Sequence, residues 1–441
     1  MNATQQQGGL TRWLERAPRP VFVLFAIATS FTAYFCMYAF RKPFAAGTYE
    51  GGGYAGVELK TVFVVSQILG YAASKYIGIK VCSEATRGRR AVYLVGLVLC
   101  AHAALLLFAV LPAGGKVLAI FLNGLPLGMV WGLVVWYLEG RRTSELLLAG
   151  LSCSFIVASA VVKDVGVRLM NEWGVSEWWM PFTTGACFLP FFIASVWLLD
   201  QIPEPSAADE AARVEREPMG RRERRSFIRE FLPGIVLLLI VYFFLTAYRD
   251  FRDNYGREIF ISLGYAATPD VFSRSDIPVA LGVLLPLALL YLIRDNRLAL
   301  AGAYAIMVSG LVLMGIGTAL FDAGRISGLA WMVVVGLGAY LAYVPFGSVF
   351  FDRLIASTRV AGTAVFAIYV ADAVGYTGSV GVQLYRDLFR GEAPRLEFFR
   401  GFTYFQCVLG AILLVLSAIY FLAKTRRATA GAPHDREDAP A

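Results

Sequence analysis

Long apolar runs, separated by short polar segments, are the main pattern along the 441 residues of the chain. Each run has roughly 20 residues, the length that an α-helix needs to cross the hydrocarbon core of a membrane. Because lipid offers the backbone no hydrogen-bonding partner, each span is predicted to be helical. Twelve spans are predicted, at about 21–40, 61–80, 91–111, 117–138, 146–169, 180–199, 231–249, 277–293, 298–321, 329–351, 358–384 and 401–423.

A polar segment divides these spans into two sets of six. Residues 200–230 are rich in charge and poor in large apolar residues, as in a solvated linker, with an amphipathic helix over about 215–230 as one option. The fold class is therefore an all-α integral membrane protein. Its predicted domains are an N-terminal six-helix bundle (1–199), a cytoplasmic linker (200–230), a C-terminal six-helix bundle (231–423) and a disordered cytoplasmic tail (424–441).

The two halves carry similar sequences, which indicates an internal repeat. YLEGRRTSELLLAGLSCSFIVASAV at 137–161 aligns with FFDRLIASTRVAGTAVFAIYVADAV at 350–374: in each, an acid ends one span, a basic loop follows, and Ala-Gly opens the next span. A shift of about 208 residues, close to the offset of that alignment, aligns Arg41 with Arg249. Parallel repeats about an axis normal to the membrane are one architecture of secondary transporters. Matched charges beside such an axis would meet in the middle.

Glycines mark one face of the fourth predicted span. Gly124, Gly128 and Gly132 recur at every fourth residue. Small residues at this spacing let two helix backbones approach closely in a membrane. The pattern therefore predicts close helix packing along this face.

The charge distribution orients the chain. The protein is 58% hydrophobic and carries a formal net charge of +8. The basic residues concentrate in loops on one side of the predicted spans, and the positive-inside rule assigns that side to the cytoplasm. We therefore expect a multi-pass protein of the plasma (inner) membrane with both termini in the cytoplasm.

The first span ends in candidate binding residues. Tyr34, Tyr38 and Arg41 are spaced i, i+4 and i+7, so they share one helix face. A guanidinium offers an anion a planar, bidentate fork, and phenols add hydrogen bonds. These residues, with Lys42, predict an anion site at the non-cytoplasmic end of the span. The alternative is that Arg41 and Lys42 only anchor the helix end near the lipid headgroups.

Lys75, inside the second span, favours the binding interpretation. A lysine at the centre of a membrane helix costs roughly 2.5 to 3.5 kcal/mol on insertion scales, so such residues are usually functional or paired. In the second half, Arg249 is the matching candidate and Arg252 the second choice. Asp250 and Asp253 reduce the positive field around both arginines.

Three more charges lie inside predicted spans. Asp372 is the deepest carboxylate of the second half and is predicted either to balance a buried cation or to carry a coupling proton. Lys163 and Asp164 are adjacent in the fifth span. They are predicted either to compensate each other near the outer boundary or to take part in coupling.

The sequence lacks the inventory of an enzyme. It contains two histidines, His102 and His434, and its six cysteines lie in or at the ends of spans without metal-ligand spacing. It has no P-loop, no Gly-x-Ser-x-Gly and no His-Glu-x-x-His motif. No catalysis, cofactor or metal is predicted, and no nucleic-acid partner.

Three stretches resemble the major facilitator superfamily and, within it, the organophosphate:phosphate antiporter family. They are YFCMYAFRKPFAAG at 34–47, SKYIGIKVCSEATRGRR at 74–90 and YVPFGSVFFDRLIASTRVAGTAVF at 343–366. The resemblance implies twelve helices in two six-helix pseudo-repeats, the major facilitator fold. It also implies that Arg41 and Arg249 bind a phosphate group from the two halves.

The same resemblance implies roles for other residues. The substrate-binding set it implies consists of Tyr34, Tyr38, Arg41, Lys42, Lys75 and Arg249. The loop between the second and third helices, which gates rocking of the halves in that superfamily, is represented here by Glu84, Arg87, Arg89 and Arg90.

The leading hypothesis is a secondary active transporter that works by alternating access on a small anionic solute, with a phosphorylated solute as one option. We expect a monomer whose partners are the lipid bilayer and a small-molecule anion. Two alternatives stay open. One is a membrane sensor that binds the solute without transporting it, and the other is a carrier of an unrelated substrate.

Overall fold

The computed structural model describes residues 9–84, 87–139, 141, 143, 147–148, 150–151, 154–205, 209, 221–351, 353–354, 364–391 and 393–430. Side chains are described for these residues except 75–76, 78–84, 87, 221–228, 230, 291, 348, 364–369 and 426–430.

Long α-helices account for most of the described chain. They are α1 (Gly9–Arg16), α2 (Arg19–Tyr38), α3 (Leu59–Glu84), α4 (Arg90–Val110), α5 (Ala113–Leu138), α6 (Ser154–Trp173), α7 (Met180–Asp200), α8 (Arg221–Asn254), α9 (Gly256–Ser262), α10 (Val271–Tyr291), α11 (Asn296–Asp322), α12 (Gly328–Pro345), α13 (Ala364–Arg390) and α14 (Arg395–Ala430). Short 3₁₀ turns cover Pro43–Ala46 and Arg87–Arg89, and a π-helical turn covers Phe346–Phe350.

Nine of the helices in the described residues are long and apolar enough to cross a membrane: α2, α4, α5, α7, α8, α10, α11, α12 and α14. The first sixteen residues of α3, Leu59–Ser74, are also apolar. The three other predicted spans coincide with α3, α6 and α13. The chain is a multi-pass membrane protein, as the apolar runs predicted.

Several helices differ from the predicted bounds, and α8 and α12 do so in ways that change the interpretation. Helix α8 begins at Arg221, inside the stretch predicted as linker, and continues without a break into the seventh span. Helix α12 ends at Pro345, and the chain continues as a π turn where a uniform span was expected. Proline lacks the backbone N–H that a regular helix needs, so a change of helix type at this point is in keeping with its chemistry.

Two large hydrophobic cores correspond to the two halves. One is built mainly from α2 to α7, with Phe63, Phe108 and Leu133 among its fully buried members. The other is built mainly from α8 to α14, with Tyr248 and Trp331 at its centre. A smaller cluster joins α6 of the first half to α10 and α12 of the second.

A short β-hairpin connects α2 to α3. Strands β1 (Gly53–Tyr54) and β2 (Val57–Glu58) are antiparallel, with Gly53 opposite Glu58. Ala55 and Gly56 have φ of 51° and 82°, the positive values that a tight two-residue hairpin turn requires at both central positions. We call the end of the molecule that carries this hairpin the hairpin end.

The glycine face of α5 packs closely on α3. A Cβ atom added at Gly124 would lie 2.4 Å from the backbone oxygen of Gln67, and one at Gly128 would lie 2.8 Å from that of Tyr71. In return, a Cβ at Gly70 of α3 would lie 2.2 Å from the oxygen of Phe121. The close packing predicted for this face is confirmed at Gly124 and Gly128.

Gly124→Ala should therefore lower the free energy of unfolding by about 1–3 kcal/mol, because the backbones must move apart to admit the methyl group. The measurement is the thermal unfolding midpoint of the purified protein in detergent. Gly96→Ala is the matched control, since a Cβ at Gly96 of α4 meets no atom within 4 Å. Equal midpoints for the two variants would contradict the packing argument.

Candidate functional site

Arg41 lies just beyond the end of α2, where side-chain amides replace the helix hydrogen bonds. The helix ends at Tyr38, and Pro43 opens a 3₁₀ turn. The carbonyl of Phe40 accepts a hydrogen bond from Nδ2 of Asn123 at 2.9 Å, and the carbonyl of Arg41 accepts one from Nε2 of Gln67 at 3.0 Å.

These two amides also bind each other. Nε2 of Gln67 donates to Oδ1 of Asn123 at 2.8 Å, and Nδ2 of Asn123 donates to the carbonyl of Ala101 at 3.0 Å. Asn123 is fully buried. The network joins α2, α3, α4 and α5 and fixes the backbone from which the Arg41 side chain extends.

Tyrosine side chains surround the Arg41 guanidinium. Its Cζ atom lies 3.9 Å from the ring centroid of Tyr71 and 6.0 Å from that of Tyr38. Tyr34 packs edge-on against Tyr38, with 5.5 Å between the ring centroids. Tyr376, from α13 of the other half, lies 5.9 Å from Tyr71, centroid to centroid.

Arg41 forms no ion pair within the described part of the chain. Its Nε atom is buried, and no described group accepts a hydrogen bond from it. The site on the first half is therefore a cation enclosed by aromatic rings, and none of the described carboxylates pairs with it.

Arg249 occupies the corresponding position on the second half but has a carboxylate beside it. Its Nη2 atom lies 2.8 Å from Oδ1 of Asp250, and its Cζ atom lies 4.1 Å from the ring centroid of Tyr343. Tyr242 stacks on Tyr343 with 5.4 Å between centroids, and its hydroxyl donates to Asp372 at 2.8 Å. Asp372 thus accepts from a phenol that also packs beside the Arg249 site.

The two arginine sites share a pattern that the sequence carried. Tyr34 precedes Arg41 by seven residues, and Tyr242 precedes Arg249 by seven. The repeat therefore carried a signal for Tyr242, which was not predicted as a site residue, whereas Tyr71 and Tyr343, on other helices, had no such signal. Tyr71, which lies beside Arg41, is 5.9 Å from Tyr376 of α13, centroid to centroid, so a residue of the second half reaches the Arg41 site.

Asp253 joins the halves at the hairpin end. Its carboxylate pairs with Lys42 at 2.5 Å and with Lys163 at 2.6 Å, and it accepts a hydrogen bond from Ser159 at 2.6 Å. Lys42 also donates to Oδ1 of Asn254 at 3.2 Å. The charge of Lys42, predicted to bind substrate, is thus compensated within the protein.

The predicted Lys163–Asp164 pair is wrong. Lys163 binds Asp253, whereas Asp164 accepts hydrogen bonds from the backbone N–H groups of Phe272 (3.1 Å) and Ser273 (2.7 Å). Adjacent residues of a helix point in different directions, so their side chains do not face each other. Asp164 instead caps the beginning of α10, where backbone N–H groups lack helical partners.

Arg252, the second choice for the anion site, is occupied elsewhere. It pairs with Asp276 at 2.7 Å and donates to Ser275 and to the carbonyl of Met332, at 2.9 and 3.0 Å. These partners all belong to the second half, so Arg252 ties α8 to α10 and α12.

Three predicted residues, Lys75, Glu84 and Arg87, have side chains that lie outside the described part of the structure. Of the predicted gate loop, Arg89 is exposed, and Arg90 lies over the ring of Trp136, with 4.5 Å from Cζ to the centroid.

Further polar contacts join the halves near Asp253. Lys60 of α3 pairs with Glu258 of α9 at 2.6 Å, and Thr61 shares a 2.7 Å hydrogen bond with the hydroxyl of Tyr255. Glu58 of the hairpin binds two arginines, one at the end of α13 and one at the start of α14. These polar contacts between the two halves lie at the hairpin end.

Asp253→Asn should lower the free energy of unfolding by about 3–5 kcal/mol, because it leaves two buried lysines without a counter-charge. Thermal unfolding in detergent measures this. Asp270→Asn removes an exposed pair with Arg168 and should leave the midpoint nearly unchanged. A midpoint for Asp253→Asn as high as that of Asp270→Asn would refute the assignment of Asp253 as the junction.

Solved transporter structures share this fold. A D-xylose-proton symporter is 16% identical, with a TM-score of 0.57, covering 91% of this chain and 97% of its own. An auto-inhibited POT family peptide transporter is 12% identical (TM-score 0.56; 95% and 98%). A bacterial homolog of the human lysosomal transporter Spinster, inward-facing and unoccupied, is also 12% identical (TM-score 0.56; 95% and 100%).

These similarities establish the major facilitator fold that the resemblance implied. No curated protein sequence matches the chain. A family model does match, over residues 43–424, and its description is a family of unknown function, DUF5690. The chain therefore belongs to the DUF5690 family.

Proposed function

We propose that this protein is a secondary active transporter that moves a small anionic solute by alternating access, with phosphorylated solutes as the leading class. The observation that carries the proposal is Arg41, an enclosed cation that forms no ion pair within the described residues. A charge inside a membrane protein is costly unless it is paired, and unpaired ones usually mark a substrate pathway. An anionic solute would supply the missing counter-charge.

In this proposal the two halves contribute unequally to binding. Arg41 binds the anion, and the hydroxyls of Tyr34, Tyr38 and Tyr71 orient it. Arg249 contributes from the second half, where the anion shares the guanidinium with Asp250. A binding group of this kind favours a small oxoanion, because a guanidinium donates two parallel hydrogen bonds to such a group.

Other charged residues take supporting roles in the proposal. Lys75 adds positive charge from α3, and Asp372 balances charge, or carries a coupling proton, through the hydroxyl of Tyr242. Lys42 and Lys163 position the halves through Asp253 rather than binding the solute.

The same proposal sets the organisation in the membrane. Twelve spans form two six-helix pseudo-repeats, both termini face the cytoplasm, and the hairpin end faces away from it. The contacts at the hairpin end then close the outer side, and the site is reached from the cytoplasm. Opening of the outer side requires those ion pairs to separate. In this proposal the protein exchanges one anion for another and is therefore an antiporter.

Arg41→Ala should weaken binding of the exchanged anion strongly enough that saturation is no longer reached at the concentrations that saturate the parent. Loss of a hydrogen bond to a charged group costs about 1.5–3 kcal/mol, which corresponds to roughly 10- to 150-fold in affinity. The assay is counterflow of labelled inorganic phosphate and of sugar phosphates in liposomes that contain the purified protein. Arg168→Ala, which removes an exposed arginine paired with Asp270, is the control and should keep full exchange.

The outcome separates the remaining functions. Unchanged affinity in Arg41→Ala would eliminate Arg41 as the anion-binding residue. A membrane sensor would be favoured if no exchange is measured but the same solutes raise the thermal unfolding midpoint, and if Arg41→Ala removes that rise. Neither exchange nor stabilisation would leave a carrier of unrelated substrate.

A further inference from the structure

The hairpin is held on the second half by a carboxylate between two arginines. Glu58 of β2 accepts hydrogen bonds from Arg386, near the end of α13, and from Arg395, the first residue of α14. The backbone N–H of Glu58 donates to Oδ2 of Asp387 at 2.9 Å. A single surface residue thus binds three buried residues of the other half.

The two arginines are buried and the carboxylate that covers them is not. The side chains of Arg386 and Arg395 are 4% and 7% exposed, whereas that of Glu58 is 48% exposed. Arg386 is also held by Asp387, at 3.0 Å, and by the carbonyl of Ala393, at 2.9 Å. The Arg395 guanidinium stacks over the ring of Tyr255, 3.9 Å from its centroid. These contacts hold both guanidinium groups in place independently of Glu58.

Each arginine keeps a donor for which the described residues offer no acceptor. Nη1 of Arg395 and Nε of Arg386 are buried, and no described group accepts a hydrogen bond from either. The single carboxylate of Glu58 therefore leaves part of this donor set unfilled. A tetrahedral oxoanion has more acceptor oxygens than a carboxylate.

The local charges balance only while Glu58 is bound. Three cations and three carboxylates make up the cluster, which are Lys60, Arg386, Arg395, Glu58, Asp387 and Glu258. Partial burial by itself raises the pKa of Glu58, but Arg395 and Arg386 hold it below its ordinary value. Glu58 is therefore ionised at neutral pH, and its withdrawal would leave one positive charge in excess.

We propose that Arg386 and Arg395 form an anion-binding site at the hairpin end, in which Glu58 is the resident ligand and a small inorganic oxoanion is the competing one. A bound oxoanion restores the charge balance when Glu58 leaves. It also releases the hairpin from the second half, so occupancy of this site favours separation of the halves at this end. The site is distinct from the Arg41–Arg249 site, and the proposal stands whether or not the protein transports anions.

The test removes the resident ligand, Glu58, in a protein whose Arg41–Arg249 site (the central site) is disabled. In an Arg41→Ala background, Glu58→Gln should bind phosphate and sulfate at least tenfold more tightly than the parent, because the neutral amide no longer competes. The measurement is the shift of the thermal unfolding midpoint with phosphate or sulfate concentration, at constant ionic strength set with sodium chloride. Glu50→Gln is the matched control, since Glu50 is exposed in the same loop, and should retain the parent's affinity.

The location is tested by a third substitution. Arg395→Ala added to Glu58→Gln should remove the tight binding, and Arg395→Lys, which keeps the charge without the fork, should weaken it severalfold. Equal affinity in Glu58→Gln and Glu50→Gln would overturn the proposal. Tight binding that survives both Arg395 substitutions in folded protein would also overturn it, because the anion would then lie elsewhere.

Discussion

The closed hairpin end depends on one constraint, that a charge buried between the two helical bundles must find its partner on the other bundle. Asp253 of α8 meets this requirement for two lysines of the first half, one after α2 and one on α6. Transfer of each ion from water costs several kcal/mol, and only close, hydrogen-bonded pairing offsets that cost. The junction is therefore stable only while the halves are together, and it couples the position of the bundles to the state of these charges.

The central site follows a different rule. Arg41 is enclosed by tyrosine rings, and Arg249 by a tyrosine ring and its neighbouring carboxylate. An aromatic face stabilises a cation without neutralising it, by about 0.5–2 kcal/mol depending on solvation. The two halves thus carry similar residues in matching positions but differ in local charge. Arg249 is paired with Asp250, whereas none of the described carboxylates pairs with Arg41, so the proposed anion would be attracted more strongly to the first half.

Much of the fold could be predicted from the sequence, because hydropathy and small-residue spacing are local properties. Nine predicted spans match helices long and apolar enough to cross a membrane, the other three overlap α3, α6 and α13, and Gly124 packs as its spacing indicated. The pairing of charged side chains was harder to predict, because Lys163 binds a residue ninety positions away rather than its neighbour Asp164. Sequence adjacency says nothing about which helices touch, and Tyr71 and Tyr343 belong to the site only because of tertiary packing. The hairpin had no signal in the apolar pattern, since it lies between spans.

The braced end of α2 determines how the central site can change shape. Gln67 and Asn123 hold the backbone at Phe40 and Arg41 through three other helices of the same half. These hydrogen bonds tie the Arg41 backbone to the rest of its own bundle. In the proposed alternating-access cycle, the distance between the two guanidinium groups would then follow the angle between the bundles, so rocking of whole domains would tighten or loosen the site.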